Sequence, residues 1–161
     1  MNEDSELKQL LDVMPQIGRV TWISVRPDNG APLNILDTVV VDERGLVGDR
    51  HGRVGGKRSV TLIQQEHLAA VSSILRIDVT PELARRNIVV AGINLLALKD
   101  HTFQVGNVTL EYTGLCHPCS KMEKVLGAGG YNAMRGHGGI TARVVEGGEI
   151  ALGDAVQMNL P

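Results

Sequence analysis

The sequence predicts a mainly β domain with short helices, most simply a closed barrel. Three observations predict it: many short β-rich runs cut by turn residues, few helical patches, and no regular strand-helix alternation. Glycine does much of the cutting, with 19 in 161 residues. In chain order, Leu7, Leu10 and Leu11 stand at helical spacing within residues 5–13, and Pro15 ends that helix. Residues 20–25 read as a strand, stopped by the turn sequence Arg26-Pro27-Asp28-Asn29-Gly30. Residues 36–41 form a second strand and 59–63 a third, which runs into a helix over 64–71. Thr80-Pro81-Glu82 is an N-cap with proline at the first helical position. That helix must be short, because residues 87–90 already read as strand. Residues 103–112 are a hairpin around Gly106-Asn107, an accepted two-residue turn. Strands at 141–145, 150–152 and 155–158 close the chain. There is no internal repeat, linker or low-complexity segment.

Length and charge narrow the function classes. A chain of 161 residues is one domain by size and buries a core without disulfide staples. Its net charge is -2 and it has four aromatic residues, one Phe, one Trp and two Tyr. A non-specific nucleic-acid binder needs a basic excess, and a single-strand reader needs stacking platforms, so no nucleic-acid partner is expected. No apolar run reaches the roughly 18 residues that span a membrane, and Asn2-Glu3-Asp4-Ser5-Glu6 is acidic, unlike a secretory leader. No membrane partner is expected. Two cysteines without a secretion signal predict a reducing, cytoplasmic setting.

Both cysteines lie in one turn, Thr113-Gly114-Leu115-Cys116-His117-Pro118-Cys119-Ser120-Lys121-Met122-Glu123, between a strand and a short helix. The positive end of the following helix favours a thiolate there, as nucleophile or soft-metal ligand. A thioredoxin-type pair belongs at the start of a long helix after a parallel strand, and the context here is a hairpin. Zinc needs four ligands. His137 with His51 or His117 would have to complete the set, and no second pair has ligand spacing. Structural thiols remain open. His67 and His101 read as ordinary polar surface residues.

Three polar constellations interrupt the strands. Residues 44–58 hold five Arg or Lys (Arg44, Arg50, Arg53, Lys57, Arg58) against one acid, Asp49, among several glycines, an anion-binding composition. It is not a P-loop, because His51 and Arg58 stand where that motif needs Gly and Ser or Thr. Arg85-Arg86-Asn87 forms the second and Met134-Arg135-Gly136-His137-Gly138-Gly139-Ile140-Thr141-Ala142-Arg143 the third. Solvated loops and surface salt bridges are the plain account of each alone. Convergence of all three in space would make a pocket for a polyanion.

In this order and spacing, Gly45-Leu46-Val47-Gly48-Asp49-Arg50-His51, Arg85-Arg86-Asn87-Ile88, the Cys-x-x-Cys element with Lys121-Met122, Gly138-Gly139-Ile140-Thr141-Ala142-Arg143-Val144 and Gly153-Asp154-Ala155-Val156 resemble a MOSC domain, the molybdenum cofactor sulfurase C-terminal domain, over nearly the whole chain. The resemblance implies a MOSC-type β-barrel of the pyruvate-kinase-barrel kind over residues 18–158, preceded by a helical extension over 1–17. It implies a pterin dithiolene molybdenum cofactor. Cys119 is implied as molybdenum ligand or as carrier of sulfur destined for the metal. Asp49, Arg50, His51, Arg58, Arg86, Asn87, Arg135, Gly138, Gly139 and Arg143 are implied around the cofactor. Soft thiolate suits a dithiolene metal centre, and arginines suit a pterin phosphate. Cys116 is left as a relay thiol or a small turn residue. The pyridoxal-phosphate desulfurase of full-length sulfurases has no room here, so that cofactor is not expected in this chain. A cysteine desulfurase, a molybdoenzyme or a reductase is the implied partner. The alternatives are a reductase of N-hydroxylated substrates with separate electron donors, and a non-catalytic cofactor carrier. Arg86→Ala is expected to weaken cofactor binding and barely change stability.

Overall fold

Seven strands close into a barrel in the order β11-β7-β8-β9-β5-β6-β1, with β1 returning to β11. The structure is a computed structural model that describes residues 5–160; residues 1–4 of the expected extension, and Pro161, lie outside the described residues. The barrel strands are β1 (Gly18–Val25), β5 (Val60–Gln64), β6 (Ile88–Ala91), β7 (Thr102–Val105), β8 (Val108–Leu115), β9 (Ile140–Glu146) and β11 (Ala155–Met158). A short β2 (Asn34–Leu36) pairs with β1, and β3 (Thr38–Asp42), β4 (Gly45–Leu46) and β10 (Gly148–Ala151) make a small second sheet. Among the described pairings only β5 with β6 is parallel. The helices are α1 (Glu6–Leu11), α2 (Gln65–Leu75), α3 (Pro81–Ala84), α4 (Ser120–Leu126) and α5 (Gly130–Met134), with a 3-10 turn at Leu95–Leu98.

Side-chain alternation along the strands builds two cores. Leu62, Ile88 and Val90 point into the barrel with Ile23, Phe103, Leu110 and Ile140. Ile63 and Val89 point outward, beneath Leu68, Val71, Met122 and Met134 of the helices. Strands β5 and β6 are thus covered on both faces, which is why both read as unbroken apolar runs. Burying each of these side chains contributes about 1.5–3 kcal/mol.

Local chemistry explains most boundaries. Val105 pairs with Val108, so Gly106-Asn107 is the hairpin turn, with Gly106 at φ 57. The Thr80 hydroxyl accepts from Leu83 N, capping α3. The strand expected over 36–41 is two strands: β2 pairs with β1 and β3 with β10, and the chain changes sheets at Asp37. Residues 45–46, read as loop, pair with β3 as β4. Helix α5 was not legible because its N-cap and first residue are Gly129 and Gly130, and glycine is a poor helix former. Its free N-H groups at Gly129 and Tyr131 are instead taken by the Glu123 carboxylate of α4, at 2.6 and 3.1 Å.

Helix α1 buries no residue. Asp12 links its end to the barrel through His101 Nε2, at 3.0 Å, while His101 Nδ1 lies 2.8 Å from the Lys99 carbonyl. His101 is therefore a tether and not a bystander. His67 packs edge-on against His137, with ring centroids 5.2 Å apart.

Candidate functional site

A cavity of about 870 Å³ opens where four segments meet: the end of β1, the loop from β4 to β5, the α3-β6 junction and the β8-α4 junction. Asp49, Arg50, His51, Arg58, Arg86, Asn87 and Cys119 all line it. Arg135, Gly138, Gly139 and Arg143 are not among its lining residues.

Each lining group is set by a specific contact. Asp49 is a turn organiser: Oδ1 accepts from Arg26 N at 2.9 Å and Oδ2 from His51 N at 3.3 Å. The loop after it is pinned by its backbone. Arg50 N donates to Arg26 O and Arg53 N to Arg44 O, each at 2.8 Å. The Thr113 hydroxyl donates to Lys57 O, and Arg143 Nε donates to Gly55 O at 3.1 Å. Arg143 also pairs with Glu111 at 3.0 Å, so its role here is to brace the loop. Arg135 is exposed and reaches only Asn132.

Asn87 is buried and both ends of its amide are engaged within the barrel. Its Oδ1 accepts from Thr61 N and Oγ1, and Nδ2 donates to Ser24 O, so it ties β1, β5 and β6 together below the cavity. Arg86 differs. It is 8% exposed; Nε donates to Gly138 O at 2.9 Å and Nη1 to Ala84 O at 3.1 Å, while Nη2 is buried without a partner. Buried donors are normally satisfied, so an orphan on a residue that lines a cavity is a candidate partner for a ligand's acceptor. Arg26, which sequence reasoning passed over as a turn residue, repeats the pattern. Its Nη2 donates to Arg85 O at 3.0 Å and its Nε is buried and unpaired. Burial, and then the charge of Arg85, push the Arg26 guanidinium below its ordinary range; Asp49 opposes them. Arg85 sits in the left-handed region at φ 57, which costs about 1 kcal/mol or more and lets two adjacent arginines line one wall.

Gly138 and Gly139 serve close packing. A Cβ at Gly138 would overlap the Cys116 carbonyl oxygen, and one at Gly139 (φ 86) would overlap the Leu62 carbonyl oxygen. This approach lets Cys116 N donate to Gly139 O at 2.8 Å and holds Gly138 O against Arg86. Both cysteines are free: Cys116 is buried and Cys119 exposed. Cys119 is the N-cap of α4, in extended conformation, and its side chain makes no capping bond, so the sulfur stays available. No turn or bend folds residues 116–119 back on themselves. Burial, and then the charge of Arg50, push the His51 imidazole below its usual range, against Asp49. Among the described residues no three His, Cys, Asp or Glu are placed to hold a metal ion.

The sequence pattern of the MOSC domain matches residues 47–157, from the β4-β5 loop to β11. The chain belongs to the MOSC domain family. That family is associated with the molybdenum cofactor. YuaD from Bacillus subtilis shares the MOSC-type fold with a TM-score of 0.79 at 16% identity, over 91% of this chain and 98% of that one. YiiM from Escherichia coli superposes with a TM-score of 0.68 at 17% identity, over 88% of this chain and 69% of that one. YiiM from Geobacillus stearothermophilus gives 0.71 at 15%, over 88% and 75%. No curated protein sequence matches the chain. No helix among the described residues is long and apolar enough to cross a membrane.

Proposed function

We propose that the cavity binds a pterin-based molybdenum cofactor and that Cys119 meets its metal end, as ligand or as carrier of the sulfur atom passed to it. The observation that carries this reading is the pairing of an exposed, uncommitted thiol with buried, unpartnered guanidinium N-H groups on one cavity. A phosphorylated dithiolene needs both: hydrogen-bond donors fixed before binding at one end and a soft sulfur at the other. The residues present fit the group. Arg86 Nη2 and Arg26 Nε supply the donors, already held in place by backbone carbonyls. When bound, the cofactor would supply a soft metal at which oxygen or sulfur atoms are exchanged. Asp49 holds the loop over the cavity, and Gly138 and Gly139 bring Cys116 and Arg86 together.

The test is purification from a molybdenum-replete host, with molybdenum, pterin and acid-labile sulfur measured per chain. Molybdenum and pterin near one equivalent are expected, and loss of metal or persulfide in Cys119→Ser. Neither molybdenum nor pterin in the wild type, or full loading in the variant, would overturn the reading.

A further inference from the structure

Eight cationic side chains line the cavity against one carboxylate, that of Asp49. Both Asp49 oxygens already accept backbone N-H groups. None of the eight cations forms a salt bridge among the described residues; the pairs found there are Lys8 and His101 with Asp12, and Arg143 with Glu111. A phosphate monoester brings about two negative charges, which leaves most of this charge uncompensated. Six of the eight fall into two banks. Arg26, Arg85 and Arg86 form a floor at the ends of β1 and β6. Arg53, Lys57 and Arg58 form a lip on the β4-β5 loop, and their side chains are exposed. His51 lines the same cavity next to Arg50.

We propose that the cavity has two oxyanion seats, and that its second ligand is an anionic co-substrate, a phosphorylated or carboxylated small molecule. Assignment of the floor seat to a cofactor phosphate rests on the cofactor reading above. The floor suits a resident group, because the guanidiniums of Arg26 and Arg86 are locked by Gly138 O, Ala84 O and Arg85 O, with one buried nitrogen on each, Arg26 Nε and Arg86 Nη2, left unpartnered. The lip suits an exchanging ligand. Its backbone is pinned through Lys57 O and Gly55 O while its charged side chains stay free to close on an anion. The same field repels amidine-like cations, so the cavity discriminates by charge as well as shape.

Inorganic sulfate is the probe, followed by equilibrium dialysis at low salt of the whole chain prepared free of molybdenum cofactor. Two sulfates per chain are expected, one tighter than the other. Arg53→Gln/Lys57→Gln/Arg58→Gln should lose the weaker sulfate and keep the tighter. Arg26→Gln should weaken the tighter at least tenfold and keep the weaker. Benzamidine, a cationic probe, should displace neither. One sulfate or none, loss of both in the lip variant, or binding indifferent to every substitution (an adventitious ion only) overturns the proposal. Should Arg26→Gln fail to fold, the lip variant decides alone, since its side chains are exposed. Two sulfates on a chain that never retains molybdenum or pterin would overturn the cofactor reading and leave two seats. A chain loaded with cofactor should take one sulfate, at the lip; a loaded chain that takes none overturns the two-seat proposal alone.

Discussion

Cys116 and Cys119 are three residues apart and chemically unequal. Alkylation should label exposed Cys119 quickly and buried Cys116 only on unfolding, read by mass spectrometry; equal rates would count against a distinct role for Cys119. Cys119→Ser should leave Tm nearly unchanged, because the side chain makes no capping bond, while soft-metal or persulfide loading is lost. For Arg86 the structure alters the expectation of an unaffected apo stability. Arg86→Ala strands two carbonyls, Gly138 O and Ala84 O, so a loss of about 2–3 kcal/mol is expected together with weaker anion binding. Urea unfolding measures the first and sulfate titration the second; an unchanged midpoint would show that these two bonds contribute nothing. Adjacent arginines were visible in the sequence. The burial of Arg86 and its unpartnered Nη2 were not, because both depend on Gly138, some fifty residues away.

At the scale of elements, the start of β9 locks the site. Gly139→Ala should cost about 3 kcal/mol or more, since it adds a left-handed penalty to an overlap with the Leu62 carbonyl. Relief by a shift of β9 would displace Gly138 O from Arg86, so anion affinity should fall as well, even well below the unfolding temperature. Retained affinity and stability together would refute this close-packing account. The sequence marked residues 138–139 as candidate ligand residues because Gly beside Arg suits anions. The barrel uses them for the close approach of β9 to β5. Strands β5 and β6 were legible as apolar runs, and the Gly106-Asn107 hairpin by its turn chemistry. Helix α5 was hidden because its stability comes from Glu123 and from packing, which outweigh a glycine-rich start.

For the whole molecule, two histidines make stability fall as pH drops below neutral. Burial first, then Arg50, lowers the His51 pKa; burial first, then His137, lowers that of His67. Both folded values lie below the unfolded one of about 6.5, so the unfolded chain binds more protons in that window. Their contribution to stability is complete above about pH 6.5 and is lost as pH falls through the lowered folded values. Tm should therefore drop on going from pH 7 to pH 5, and sulfate should recover part of the loss by offsetting the charge around His51. His51→Gln should shrink both effects; a Tm that is flat across this range in the wild type would rule them out.

The sequence by itself determined that this chain is β-rich, that its thiols sit at a strand-helix junction, and that arginine and glycine gather at three junctions. Those features are local: turn chemistry, periodicity and composition act within a few residues. Tertiary structure alone decided which of them share a cavity. Ring closure brings the β4-β5 loop, the α3-β6 junction and Cys119 together, and it turns Arg143, Asn87 and the glycine pair to bracing and packing. It also recruited Arg26, which carries no local signal beyond a turn. The deciding quantity, a buried donor with no partner, belongs to a pair of segments and their neighbours, so no single stretch of chain encodes it.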